Sequence, residues 1–272
     1  MERPDRTLGK VDVDRPSSAR IYDYFLGGAH NFEVDRRAAN ELAKVHPAIG
    51  LGMRANRSYL RRAVSFLVQS GVDQFLDLGS GIPTVGNVHE IAQRANPAAR
   101  VAYVDVEPIA VTHSNTILDG NDLALAIRAD LREPRHVLTD PQVTGLLDLS
   151  RPVGLILAGV LQYISDEDDP AGMIRGYVDG LASGSYVAMS HPSMDELTSE
   201  RAAGANAASS MYNRTETPFH YRSRPEFEAF FGGLELVEPG VVHLWDWRPE
   251  FGAEADELDG RVTGFAGVGR KA

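Results

Sequence analysis

From Gln74 onward the chain alternates short apolar runs with segments of helical character, and this alternation limits the fold more than any other feature. "QFLDL", "RVAYVDV", "LALAIRA" and "VGLILAG" are each followed by a stretch such as "VGNVHEIAQRA", "PIAVTHSNTIL" or the shorter one around "HVLTD". Strands that are apolar along their whole length must be covered on both faces. Helical crossovers between them give a parallel sheet, and right-handed crossovers make it doubly wound. The pattern continues with a helix in "MIRGYVDGLASG", a strand in "SYVAMS", and helices in "ERAAGANAASSMY" and "RPEFEAFFGG". The last apolar runs, "LELVEPGVVHLW" and "RVTGFAGVGRK", are separated by an acidic, turn-rich stretch and read as an antiparallel pair closing one sheet edge. The expected fold class is α/β, with a doubly wound, mostly parallel seven-stranded sheet and an antiparallel closing strand.

The N-terminal quarter is different. Residues 1–16 carry two prolines and no periodicity, which predicts a flexible leader. Ser17 and Ser18 offer helix caps before a short aromatic helix ending at Leu26. Gly27 and Gly28 break it as a possible hinge, and a second helix runs from about Phe32 to Val45. "RANRSYLRRAVSFLVQSG" spaces its apolar residues as a third helix that Gly71 ends. The expected organisation is one domain over 17–272, with a helical cap or lid over 17–71 and the sheet over 72–272.

Composition narrows the function classes. The 38 acidic and 27 basic residues give a formal charge of −11, which repels a phosphate backbone and disfavours nucleic acid as a partner. With no cysteine, disulfides, thiolate metal sites and a thiol nucleophile are excluded. The eight histidines are scattered without metal spacing, so no metal is expected. No run approaches the ~18 apolar residues of a membrane span, and the N-terminus has no secretory apolar region. A cytoplasmic protein without a membrane partner is the simplest expectation.

The loop in "FLDLGSGIPT" raises the question of the ligand. Gly79-Ser80-Gly81 follows a strand, as in dinucleotide sites, but the third glycine of that fingerprint is missing. Asp77, just ahead of the loop, would repel a pyrophosphate and favour a ligand bearing an ammonium group. Asp105 ends the second strand, where a carboxylate can accept two hydrogen bonds from ribose hydroxyls, and Glu107 follows it. Asp130 ends the third strand on the same edge, where an adenine amino group would need an acceptor. Each is also an ordinary turn or cap residue. Their succession on three strands is what makes a site.

At these residues the sequence resembles the class I S-adenosylmethionine-dependent methyltransferases, through "DLGSG", "YVDVEP", "ADLREP" and "LILAGVLQYI". More narrowly, "PSSARIYDYFLGGAHNFEVDRRAA", "ANRSYLRRAV", "FLDLGSGIPTVGNVHEIAQ" and "PGVVHLWDWRP" are similar to an actinobacterial methyltransferase family long catalogued as a domain of unknown function, over nearly the whole chain. The resemblance implies a Rossmann-like fold and S-adenosylmethionine as cofactor. It places Asp77, Gly79, Ser80 and Gly81 near the methionine moiety and Asp105 on the ribose. Val106 would flank the adenine, Asp130 accept from its amino group, Leu131 offer a backbone donor, and Ala158 and Gly159 form the floor. One departure concerns the segment after the fourth strand, where similar sequences often read Leu-His. Here it is Leu161-Gln162-Tyr163, so no histidine base is expected there.

Methyl transfer from a sulfonium needs mainly orientation and exclusion of water, and a general base only for an acceptor protonated at neutral pH. Candidates on the acceptor side are Tyr22, Tyr24, Tyr163 and His191, with helix packing as the alternative role of Tyr22 and Tyr24 and a turn as that of His191. Arg20 and Arg57 are candidates for the cofactor's carboxylate, or lie on a solvated helix face. The acceptor is expected to be a small molecule. The rivals are a non-catalytic sensor of S-adenosylmethionine or S-adenosylhomocysteine, which would lack a pocket for an acceptor, and an NAD-dependent oxidoreductase.

Overall fold

The computed structural model of the chain describes residues 14–82, 86–212, 218–249 and 264–272. Thirteen residues of the expected leader therefore lie outside the described part, as does the turn-rich stretch before the last strand.

The sheet is built around β1 (Gln74–Leu78), paired in parallel with β2 (Arg100–Asp105) on one side and β4 (Gly154–Ala158) on the other. β3 (Ala124–Arg128) continues the sheet beyond β2, and β5 (Tyr186–Pro192) beyond β4. The connections between the first four strands carry α4 (Val88–Ala95), α5 (Pro108–Ile117), α6 (Pro134–Leu138) and α7 (Pro141–Leu146). The direction then reverses, because β8 (Gly264–Arg270) runs antiparallel to β5 over seven residue pairs. The outer edge consists of two two-residue pieces, β6 (Glu235–Leu236) and β7 (Val242–His243), both antiparallel to β8. The sixth strand expected from the sequence is thus divided. Pro239 has no N–H for a ladder, and Gly240 takes a left-handed φ of 81°, so the chain turns away between the two pieces.

The strand residues divide between two apolar layers with the period of two that a sheet imposes. Leu76, Leu78, Val104, Leu155 and Leu157 belong to one cluster, and Phe75, Tyr103 and Ile156 to the other. The first layer lies under α8 (Pro170–Gly180), whose N-terminal turn is capped by Asp169 accepting from the Gly172 N–H. The "SDEDDP" run therefore ends at a helix start, where negative charge is favourable.

The second layer contains α3 (Ile49–Gln69). Tyr59, Ala63, Val64 and Leu67 of this helix are fully buried, and the Tyr59 hydroxyl donates to the Gly267 carbonyl at 2.6 Å. Trp247 packs edge-on against Tyr59 and Phe66 in the same layer, which is where the "LWDWRP" segment goes. Residues 49–69, expected in the cap, are thus part of the sheet's own packing.

The cap itself is made from distant segments. α1 (Ser18–Phe25) and α2 (Glu33–Val45) pack with α9 (Ser199–Tyr212), which is inserted after β5. Ile21, Ala39, Leu42, Ala208 and Tyr212 form its separate apolar cluster. α9 crosses α2 so closely that a Cβ on Gly204 would lie 2.3 Å from the Val45 carbonyl oxygen. Gly204→Ala is therefore expected to push these helices apart and destabilise the protein by about 1–3 kcal/mol, read as a lowered Tm. An unchanged Tm would show that the crossing is not tightly packed.

The start of α1 is fixed by charge rather than by a conventional cap. The Ser17 hydroxyl donates to both Glu107 oxygens at 2.7 and 2.8 Å, while its N–H donates to Asp35 Oδ1. Arg20 is buried in an ion pair with Asp35 at 2.7 Å, so it is not available to a ligand. The Gly27-Gly28 pair is a packed turn instead of an open hinge. Asp23 Oδ2 accepts from the His30 N–H and the Asn31 amide, and a Cβ on Gly28 would overlap the Asp23 carboxylate.

Candidate functional site

The parallel strands deliver their carboxyl ends to one edge of the sheet, and a cleft of about 1570 Å³ including its open mouth lies there beneath α1. Asp77, Gly79, Ser80, Gly81, Asp105, Val106, Asp130, Leu131, Ala158 and Gly159 all line it. Ten positions spread over 83 numbers of sequence meet because β1 to β4 are in parallel register.

The glycine loop is held in a shape that side chains resist. Gly79 and Gly81 have φ of 67° and 61°, and a Cβ on Gly79 would come within 2.1 Å of Val160. Asp105 supports the loop, with Oδ2 accepting from the Gly81 N–H at 2.7 Å and Oδ1 from the Glu107 N–H at 2.8 Å. Each oxygen retains a further lone pair.

The electrostatics of the cleft depend on burial. Asp77 is pushed up to about 7, first by burial and then by the Asp105 charge, against the pull of the Arg57 guanidinium. Asp105 and Glu107 are also raised, in both cases chiefly by burial. A group of buried acids with raised pKa values is poised to take up positive charge. Asp130 is the exception. Arg132 chelates it at 2.6 to 3.1 Å and lowers its pKa, so it faces the cleft as one member of an ion pair.

A second cavity, of about 800 Å³ including its open mouth, lies between the cap and the ends of β4 and β5. Tyr22, Asn56, Gly159 and Tyr163 line both spaces and form their common wall. The Asn56 amide donates to the Tyr22 hydroxyl at 3.0 Å, and Tyr22 donates to the Met53 carbonyl at 3.2 Å. Tyr163 is pushed up to about 12 by burial, against hydrogen bonds from Gln162 and Ser18, so it remains a neutral phenol.

Of the four acceptor-side candidates, Tyr22 and Tyr163 stand at the junction, His191 lines the second cavity alone, and Tyr24 lines neither. Tyr24 instead reaches towards Asn40 on the outside of the cap, because α1 turns that face away from the sheet. His191 does not have the geometry of a base. Nδ1 lies 2.7 Å from the Pro192 carbonyl and Nε2 lies 2.9 Å from Arg222 Nη1, so the neutral ring donates on one side and accepts on the other. Burial, with the Arg222 charge, holds its pKa down at about 3. The carbonyl opposes this by favouring the protonated ring.

Sequence reasoning missed Asn56 and Gln162 as site residues, and it passed His46 over among the scattered histidines. It also missed α9 as a wall of the second cavity. Polar residues within helical periodicity give no local sign of facing a cavity, and the partners that define the cavity are over a hundred residues away.

The reversed sheet edge, the glycine turn after β1 and the carboxylates after β2 and β3 together define a class I S-adenosylmethionine-dependent methyltransferase. Comparison with known proteins gives the family. The S-adenosyl methyltransferase family model matches residues 4–272, and the chain belongs to that family. The crystal structure of a protein from Thermobifida fusca, assigned there as a methyltransferase, is 39% identical, with a TM-score of 0.88 and 96% of each chain covered. A DUF574 family protein from Streptomyces avermitilis is 37% identical, with a TM-score of 0.88, covering 96% of this chain and 99% of its own. The N-methyltransferase NodS from Bradyrhizobium japonicum, in complex with S-adenosyl-L-homocysteine, shares the fold at 14% identity and a TM-score of 0.50, over 93% and 98% of the two chains. No curated protein matches. The protein is thus an S-adenosylmethionine-dependent methyltransferase, and the NAD reading is set aside. Among the described residues, no helix is long and apolar enough to cross a membrane.

Proposed function

We propose that this methyltransferase acts on a small-molecule acceptor held in the second cavity, with the cofactor in the cleft beside it. The observation that carries this reading is the common wall. A cofactor-sized cleft shares Tyr22, Asn56, Gly159 and Tyr163 with a separate space beneath a cap, and a protein that only sensed the cofactor would need no such space.

The residues of the cleft suit the cofactor. Buried Asp77 offers a carboxylate to an ammonium group, and Arg57 beside it is the cation suited to a carboxylate. The left-handed glycines let a ligand approach the backbone, with Ser80 between them. Asp105 has lone pairs left for ribose hydroxyls. Exposed Val106 offers an apolar face to an adenine, with Asp130 and the Leu131 backbone at its polar edge, and Ala158 and Gly159 form the floor. Bound there, S-adenosylmethionine supplies a methyl group already activated by its sulfonium charge. The protein's task is to orient the acceptor and exclude water. Tyr22 and Tyr163 stand between the two spaces as hydrogen-bonding walls. The cap covers both spaces from above through residues such as Tyr22.

Calorimetric titration with S-adenosylmethionine, S-adenosylhomocysteine and NAD, each separately, tests the cleft. Micromolar binding of the first two and none of NAD is expected. Binding of NAD alone would overturn the assignment of the cleft.

A further inference from the structure

The second cavity is apolar apart from a few polar atoms, and these can be accounted for in turn. Tyr163, Tyr212, Phe219 and Tyr221 form an aromatic wall, with Tyr212 and Phe219 stacked at 5.2 Å and Tyr163 and Tyr221 edge-on to Phe219. No Asp, Glu, Lys or Arg is among its described lining residues. Its two histidines are His191, whose ring nitrogens are both engaged, and His46, whose pKa is lowered by burial and by the Arg201 charge. Both are neutral at pH 7. A charged molecule entering this space would lose its hydration and meet no counter-charge among the described lining residues.

Around the junction the polar groups satisfy one another. Ser190 donates to Asn56 Oδ1, Asn56 to Tyr22, and Tyr22 to the Met53 carbonyl. The exception is Gln162. Its Nε2 donates to the Gly159 carbonyl at 2.6 Å, and this fixes the amide, since the flipped orientation would set two oxygens against each other. The other amide atom, Oε1, is buried with no hydrogen-bond partner among the described residues, on a side chain 7% exposed that lines this cavity and not the cofactor cleft. An unsatisfied buried acceptor is costly and is rarely retained without a use.

Resting on the reading of this cavity as the acceptor site, we propose that the acceptor is a neutral aromatic molecule carrying a hydrogen-bond donor that docks on Gln162 Oε1. The aromatic wall supplies ring contacts, the absence of counter-charge selects against ions, and the amide oxygen fixes one polar end. Because Gln162 is bonded to Gly159 and adjoins Tyr163, both on the common wall, this polar end lies next to the cofactor cleft. Gln162 is a specificity-determining residue that accepts a proton donor without removing the proton.

The test uses the full chain saturated with S-adenosylhomocysteine, whose binding is measured first, and three probes of one shape: 2-naphthol, 2-methoxynaphthalene and 2-naphthoate. The wild type is expected to bind 2-naphthol at least about tenfold more tightly than either of the others. In Gln162→Met, which fills the same space without polar atoms, 2-naphthol should fall to the level of 2-methoxynaphthalene while S-adenosylhomocysteine affinity is retained. Equal binding of 2-naphthol and 2-methoxynaphthalene by the wild type, preferred binding of 2-naphthoate, no binding of 2-naphthol, or a preference that survives Gln162→Met would each overturn the proposal. If the variant does not fold, the wild-type ranking decides. Failure of S-adenosylhomocysteine to bind would instead sink the reading of the cleft, so the two failures are distinguishable.

Discussion

Asp105→Ala is expected to weaken S-adenosylmethionine binding by about 2–3 kcal/mol, roughly 30- to 160-fold. The expectation has two physical sources. The carboxylate is placed to accept from ribose hydroxyls, and it already accepts the Gly81 and Glu107 N–H groups that shape the cleft. Removing it takes away the ligand's acceptor and leaves two backbone donors to find water. Asp105→Asn is no rescue, because one of the two N–H groups would then face an amide NH2. Calorimetry on both variants checks this, with circular dichroism to establish that they are folded. Unchanged affinity in a folded alanine variant would refute the ribose assignment.

The second large effect concerns pH. Asp77 holds its proton up to about 7 in the ligand-free cleft, chiefly because burial penalises the carboxylate. An ammonium group on the ligand favours the ionised form, so binding below pH 7 must displace that proton. Affinity for S-adenosylmethionine should therefore rise with pH by up to about tenfold per unit below pH 7 and level off above it. Asp77→Asn should flatten this profile and bind weakly throughout.

Stability should respond in the opposite direction. Between the ordinary value of 3.8 and about 7 the folded chain holds a proton that the unfolded chain has lost. The contribution of this group to stability is complete below 3.8, declines as pH rises to about 7, and is constant beyond. A shift of that size corresponds to roughly 4 kcal/mol, so Asp77→Asn should unfold at a higher temperature than the wild type at pH 8. A variant that gains stability and loses affinity has lost a group kept for binding. A profile for the wild type that is flat between pH 5 and 8 would refute the placement of Asp77 against a positive charge.

The sequence determined by itself those features that depend on neighbouring residues. Apolar runs of five or six residues with helical segments between them dictate parallel strands and crossovers, and the glycines after β1 announce a backbone that something must approach. Because a parallel sheet places every carboxyl end on the same edge, Asp77, Asp105 and Asp130 could be assigned to one cleft before any contact was known. The resemblance of long phrases gave the family. Local patterns also placed the first two helices close to their observed bounds, whereas the third begins at Ile49, five residues before the stretch read as helical.

Only the tertiary structure decided which of those helices form the cap. α3 has the same amphipathic text as a lid helix, yet Tyr59, Ala63 and Val64 face the sheet, whereas α9 joins α1 and α2 from the far side of β5. It also decided that His191 is held by Arg222 and Pro192, that Tyr24 points away from the site, and that Gln162, which lines the second cavity, has one amide atom satisfied and the other buried without a partner among the described residues. The physical reason is the same in each case. Periodicity records which face of an element is apolar, while the state of a polar side chain is set by partners brought to it from distant parts of the chain.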